Sequence, residues 1–119
     1  MLAIEKLRAI CQQMREYRLE RHPRPRARDF FDIHELVTNA GVRFGTAENL
    51  SLARAIFGAK QVPLALIAAI GDHREFHRPD WPAVEASAGA GLRTFDFYFD
   101  FVVAETGALE SLWIEKPPV

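Results

Sequence analysis

The residues best suited to chemistry lie in two short segments, Glu5-Lys6-Leu7-Arg8-Ala9 and Arg26-Ala27-Arg28-Asp29-Phe30-Phe31-Asp32-Ile33. Asp29 and Asp32 are three residues apart, so on a helix both carboxylates leave from one side, close to an N-terminus that stabilises negative charge by ~0.3–1 kcal/mol. Carboxylates beside a cluster of guanidinium groups can position a nucleotide or a metal ion, and the Lys6 ammonium can hold a phosphate. A structural assignment is open to the same residues. The residue pattern by itself favours it, with Asp29 capping its helix and Asp32 pairing with Arg28 or a neighbour.

Other candidates are weaker. His73 and His77 could share a helical face, but Arg74, Glu75 and Phe76 between them do not make an H-E-x-x-H pattern and no third ligand follows. The spacing therefore predicts a surface histidine pair and no metal site. Cys11 falls on an apolar face, which predicts a small buried hydrophobe rather than a nucleophile. The isolated glycines form neither a P-loop nor a G-x-G-x-x-G turn. Trp81 and Trp113, near segment ends, are expected to anchor packing.

Charge is unevenly spread. Residues 1–28 carry eight Lys or Arg against three Glu, a net +5, while the other 91 residues carry seven against thirteen, a net −6. Arg15, Arg18, Arg21, Arg24 and Arg26 thus offer a basic surface to phosphates, nucleic acid or an acidic protein, or else form a solvated helix end.

The elements that must position these residues read as helices. Ile4, Leu7, Ile10, Cys11, Met14 and Tyr17 recur at spacings of three and four, predicting a helix that stops before His22-Pro23-Arg24-Pro25. Asp29 opens a second, with Phe30, Ile33, His34 and Val37 on one side and an end near Asn39-Ala40-Gly41. Thr46 is the expected N-cap of a third, through Leu50, Ala53, Ile56 and Phe57. Pro63 starts a fourth whose Leu64–Ile70 stretch is apolar nearly all round and so expected at the centre. Pro79-Asp80-Trp81-Pro82 feeds a short helix through Val84 and Glu85. Residues 94–104 fit both a strand period and a helical stripe; with no partner strand elsewhere, helix is the assignment. Leu109, Leu112 and Trp113 suggest a closing helix before a frayed Pro117-Pro118-Val119 tail.

With 119 residues, 49% apolar and 26% charged, the chain has the composition of one soluble domain, 1–119, and nine Phe supply its core. A single cysteine excludes an intramolecular disulfide and points to a reducing compartment. The longest apolar run, Val62–Ile70, is far short of the ~20 residues of a bilayer span, and Met1 leads into an acidic, amphipathic stretch rather than a signal peptide. A cytoplasmic protein with no membrane partner is expected.

The segments Glu5-Lys6-Leu7-Arg8-Ala9 and Arg28-Asp29-Phe30-Phe31-Asp32-Ile33 resemble the E-K-L-x-A and R-D-x-x-D-[IL] segments in the second half of AbiEii/AbiGii-type nucleotidyltransferase toxins. Phe95-Asp96-Phe97-Tyr98-Phe99 is similar to an aromatic segment near their C-termini. In that family a polymerase-beta-like lobe carries G-S and D-x-D motifs that bind metal and triphosphate, and a helical lobe supplies the Lys and the R-D-x-x-D residues. The resemblance implies that Lys6 and Arg28 contact phosphate and that Asp29 and Asp32 are active-site carboxylates. It departs from the family where mechanism is decided, because neither a G-S nor a D-x-D motif occurs in this sequence.

Together these features predict an all-α bundle of five or six short helices resembling the helical lobe. The leading expectation is a non-catalytic module, silent alone and without cofactor, that binds a protein or nucleic-acid partner through Arg15–Arg28. The family's context makes an inhibitor or regulator in phage-host conflict a version of it. The alternative is one half of a split nucleotidyltransferase, with Mg and a nucleoside triphosphate bound once another chain brings the metal-binding lobe.

Overall fold

Helix α1 (Leu2–Cys11) shows the expected stripe, with Ala3, Ile4, Leu7, Ile10 and Cys11 all buried. It ends earlier than the apolar spacing predicts. Beyond Cys11 the backbone tightens into three-residue bonds, Gln13 N–H donating to the Ile10 carbonyl and Met14 N–H to the Cys11 carbonyl, each at 3.2 Å. Met14 is still buried, and the Tyr17 hydroxyl donates to the Lys60 carbonyl at 3.0 Å. The spacing of apolar residues records burial, and here burial outlasts the helix. This computed structural model describes residues 1–17 and 22–114; Arg18, Arg21 and the Pro117-Pro118-Val119 tail lie outside the described residues.

Helix α2 (Ala27–Ala40) begins two residues before Asp29 and stops at Gly41, whose φ of 69° is left-handed. Val42 N–H then bonds back to the Leu36 carbonyl at 3.2 Å, closing the end as a glycine-terminated helix does. Helix α3 (Ala47–Ala59) is capped by Thr46, whose hydroxyl accepts the Asn49 N–H at 3.1 Å. Pro63 precedes a 3₁₀ segment, Leu64–His73, rather than an α-helix. With three residues per turn, Leu64, Ile67 and Ile70 line up, and the last two are buried while Ala65 and Ala68 are exposed. The segment therefore lies against the core instead of running through its centre.

A single turn, α4 (Arg74–His77), and a 3₁₀ turn, Arg78–Asp80, lead into α5 (Trp81–Ala88), with Pro82 in its first turn. Helix α6 (Phe95–Glu105) resolves the ambiguous aromatic stretch: Thr94 caps it by accepting the Phe97 N–H at 3.2 Å, and Phe95, Tyr98, Phe99 and Val102 are buried at helical spacing. A 3₁₀ segment, Thr106–Leu112, closes the bundle, burying Leu109. Among the described residues there is no strand.

Helix α2 crosses α6 through aromatic rings. Phe30 stacks on Phe99 at 5.0 Å between centroids and meets Phe95 edge-on at 5.9 Å. Burying one such side chain stabilises by roughly 1.5–3 kcal/mol, with more from the ring geometry. Trp81 packs on Phe95 and Tyr98, as an anchor should. Helix α1 lies against α2, which sets Lys6 beside the acidic side of the second helix. No single helix among the described residues is long and apolar enough to cross a membrane.

Candidate functional site

Lys6, on the flank of α1, projects between the two carboxylates of α2. Its Nζ lies 2.9 Å from Asp32 Oδ2 and 3.4 Å from Asp29 Oδ1, joining residues 26 and 23 positions apart in sequence. Arg26 closes the other side of Asp29, its Nε donating to Oδ2 at 2.6 Å. Arg28 reaches Asp32 from 3.6 Å and donates to the Ser87 hydroxyl at 2.9 Å. Each carboxylate thus faces two cations.

The capping assignment fails for Asp29, because α2 starts earlier and the carboxylate turns inward to Lys6 and Arg26. The Asp29 side chain is only 6% exposed, whereas those of Lys6, Arg26 and Arg28 are 22%, 40% and 52% exposed. Anion beneath and cations above is the order from core to solvent. Burial alone would lower the Lys6 pKa, but the hydrogen bond to Asp32 and the charges of both aspartates outweigh it and hold the ammonium above its ordinary value. Lys6 is therefore charged across the physiological range.

These side chains, with Pro25 and Asp80, line an open cleft of about 340 Å³. Mg²⁺ takes near-octahedral oxygen ligands, and here Asp29 and Asp32 already face ammonium and guanidinium groups. The set does not fit a divalent ion by itself. Lys6, Arg26 and Arg28 share the opening with Asp29, Asp32 and Asp80, three cations against three carboxylates, and each cation carries more N–H donors than its printed bonds use.

Of the predicted basic segment, Arg15, Arg24 and Arg26 lie among the described residues. Arg26 and Arg28 belong to the cleft; Arg24 is exposed, its N–H bonded to Gln13 Oε1 at 2.8 Å, and Arg15 is 86% exposed beside Glu16. The surface histidine pair also separates. His73 faces Glu16 at 3.4 Å, but His77 is 1% exposed and its Nδ1 accepts the Arg26 N–H at 2.8 Å. Burial pushes the His77 imidazole down to about 4, with the charges of His73 and Arg26 adding to the shift. Apolar neighbours from α2 and α4 enclose it, which four-residue spacing with charges between could not reveal. Cys11 is buried and free, as expected.

The second acid pair, Asp96 and Asp100 on α6, is a brace. Arg74 donates to both, at 3.1 and 2.6 Å, and stands 4.4 Å over the Phe99 ring, while Arg78 bonds Asp96 at 2.8 Å. Hydrogen bonds first from Arg78 and then from Arg74 keep the Asp96 carboxyl below the ordinary range. Among the described residues, no group of three or more His, Cys, Asp or Glu is placed to hold a metal ion.

An all-α module that joins a lysine to an R-D-x-x-D helix in an open cleft lined by three cations and three carboxylates is the class of protein that the fold and site define. Its family follows from comparison: the family described as nucleotidyl transferase AbiEii toxin, type IV toxin–antitoxin system, matches residues 1–101, and the chain belongs to it. No curated protein and no solved structure matches the chain significantly.

Proposed function

We propose that this chain forms the helical side of a nucleotidyltransferase site, in which Lys6, Arg26 and Arg28 receive the phosphates of a nucleoside triphosphate. The observation that carries the reading is Lys6 bridging Asp29 and Asp32 from another helix, at 3.4 and 2.9 Å, beneath an opening of about 340 Å³. Asp29 and Asp32 orient the cations, and the metal-binding G-S and D-x-D segments come from polypeptide outside these residues. Bound metal, when that lobe supplies it, neutralises charge on the transferring phosphoryl group. The residues of this chain bind and align the polyphosphate.

Titration calorimetry with inorganic triphosphate tests this. Lys6→Met, which keeps the length and apolar stem, is expected to bind about ten- to a hundredfold more weakly, as loss of one charge-assisted hydrogen bond dictates. Equal binding by wild type and Lys6→Met would refute the reading. When the metal-binding lobe is present, Asp29→Ala and Asp32→Ala are expected to abolish transfer without preventing assembly.

One observation favours a second reading, a non-catalytic module that binds a protein or nucleic acid and acts as a regulator in phage defence. Arg15 is 86% exposed and Arg24 is also exposed, so neither is committed to the cleft. Charge reversal at Arg15 and Arg24 would then weaken partner capture and leave triphosphate binding unchanged.

A further inference from the structure

Helix α2 has no local cap: Arg26 occupies the N-cap position and makes no side-chain capping bond. Two side chains from the segment after residue 73 do this instead. The Arg26 N–H donates to His77 Nδ1 at 2.8 Å, and the Ala27 N–H donates to Asp80 Oδ2 at 3.2 Å. Both are backbone donors at a helix start that the helix itself cannot satisfy. His77 is fixed in turn, its ring 5.1 Å from Phe30 and 5.0 Å from Phe76. Asp80 also lines the cleft.

The buried Phe30 and Ile33 seat the body of α2, while its first turn depends on these two acceptors to stay wound. Without them the first turn can unwind by a residue or two, which is where helices fray. That turn carries Arg28 and Asp29 and follows Arg26, so its unwinding would loosen the Arg26–Asp29 pair and move Arg28 from the opening. We infer that His77 and Asp80 are positioning residues of the phosphate cleft, holding the N–H groups of Arg26 and Ala27 so that the first turn of α2 keeps Arg26, Arg28 and Asp29 at the opening beside Lys6. The inference rests on the phosphate reading proposed above.

The test is triphosphate calorimetry on the full chain at pH 7.5, with the folded fraction of each variant measured by circular dichroism. Asp80 gives the sharper contrast because it is only partly buried and its replacement leaves the core intact. Asp80→Asn keeps an acceptor oxygen and removes a negative charge from the cleft, so it binds as tightly as wild type or more tightly. Asp80→Ala removes the same charge and the acceptor too. Electrostatics alone would strengthen its binding, whereas loss of positioning weakens it about tenfold, the scale of a lost cap. His77→Phe is expected to weaken binding about tenfold per folded molecule, and His77→Asn, with an amide oxygen near the place of Nδ1, to restore it. If Asp80→Ala matches Asp80→Asn, or His77→Phe matches wild type, the inference is overturned while Lys6→Met still shows the loss. If Lys6→Met also binds like wild type, the phosphate reading falls and the inference falls with it.

Discussion

Protonation of His77 perturbs the packing beneath the cleft without altering a single residue. The imidazole is buried, and its pKa drops from 6.5 to about 4 on folding. Nδ1 accepts the Arg26 N–H, so the neutral ring carries its proton on Nε2, and a second proton would have to enter at the occupied acceptor. The unfolded chain takes up that proton more readily than the folded one, so stability is complete above pH 6.5 and is lost as pH falls toward 4. Linkage gives a loss of roughly 2 kcal/mol between pH 7.5 and 5, and about 3 kcal/mol by pH 4. Urea unfolding followed by tryptophan fluorescence at pH 7.5 and 5 measures it, with His77→Phe as the reference that cannot titrate. Wild type should lose ~2 kcal/mol more than the variant over this window, before most carboxylates titrate. Parallel losses in the two proteins would refute the assignment of a buried neutral histidine.

Other expectations concern the core and its edges. Phe30→Ala should destabilise by about 3–5 kcal/mol in urea, a large share of the ~5–15 kcal/mol of a domain this size, because the ring is fully buried against Phe95, Phe99 and His77. A loss below ~1 kcal/mol would show that α2 and α6 do not pack there. Burial pushes the Cys11 thiol well above its ordinary value, so iodoacetamide at pH 8 should leave the folded protein unmodified and label it fully in urea. Gly41→Ala meets no atom within 4 Å but inherits a φ of +69°, so its cost is conformational alone, about 1 kcal/mol by thermal melting.

Much of the fold was legible because local chemistry and burial agree. Thr46 caps the helix that follows it, Gly41 ends α2, and the aromatic stretch is helical because Phe95, Tyr98, Phe99 and Val102 share a buried face, with Phe30 packed on Phe95 and Phe99. Where a segment is apolar without polar punctuation, pattern gives no period, and Leu64–His73 could not be seen as 3₁₀. The end of α1 was hidden because Met14 and Tyr17 remain packed after the backbone has left the helix. In the site, Lys6, Arg28, Asp29 and Asp32 were nameable from motif spacing, since adjacent turns and packed helices bring such groups together. His77 and Asp80 were not, because their bonds to Arg26 and Ala27 span 51 and 53 residues and leave no local trace.

Those two spans also have a consequence in time. Domains assemble as the chain leaves the ribosome, and contacts distant in sequence form only after the intervening chain has been made. Helix α1 and most of α2 can exist early, but the N–H groups of Arg26 and Ala27 lack their acceptors until residues 77–80 have emerged and docked. A nascent or prematurely terminated chain lacking them would leave the first turn of α2, with Arg28 and Asp29, uncapped beside Lys6. The capped form of that turn is thereby reserved for chains synthesised past that point.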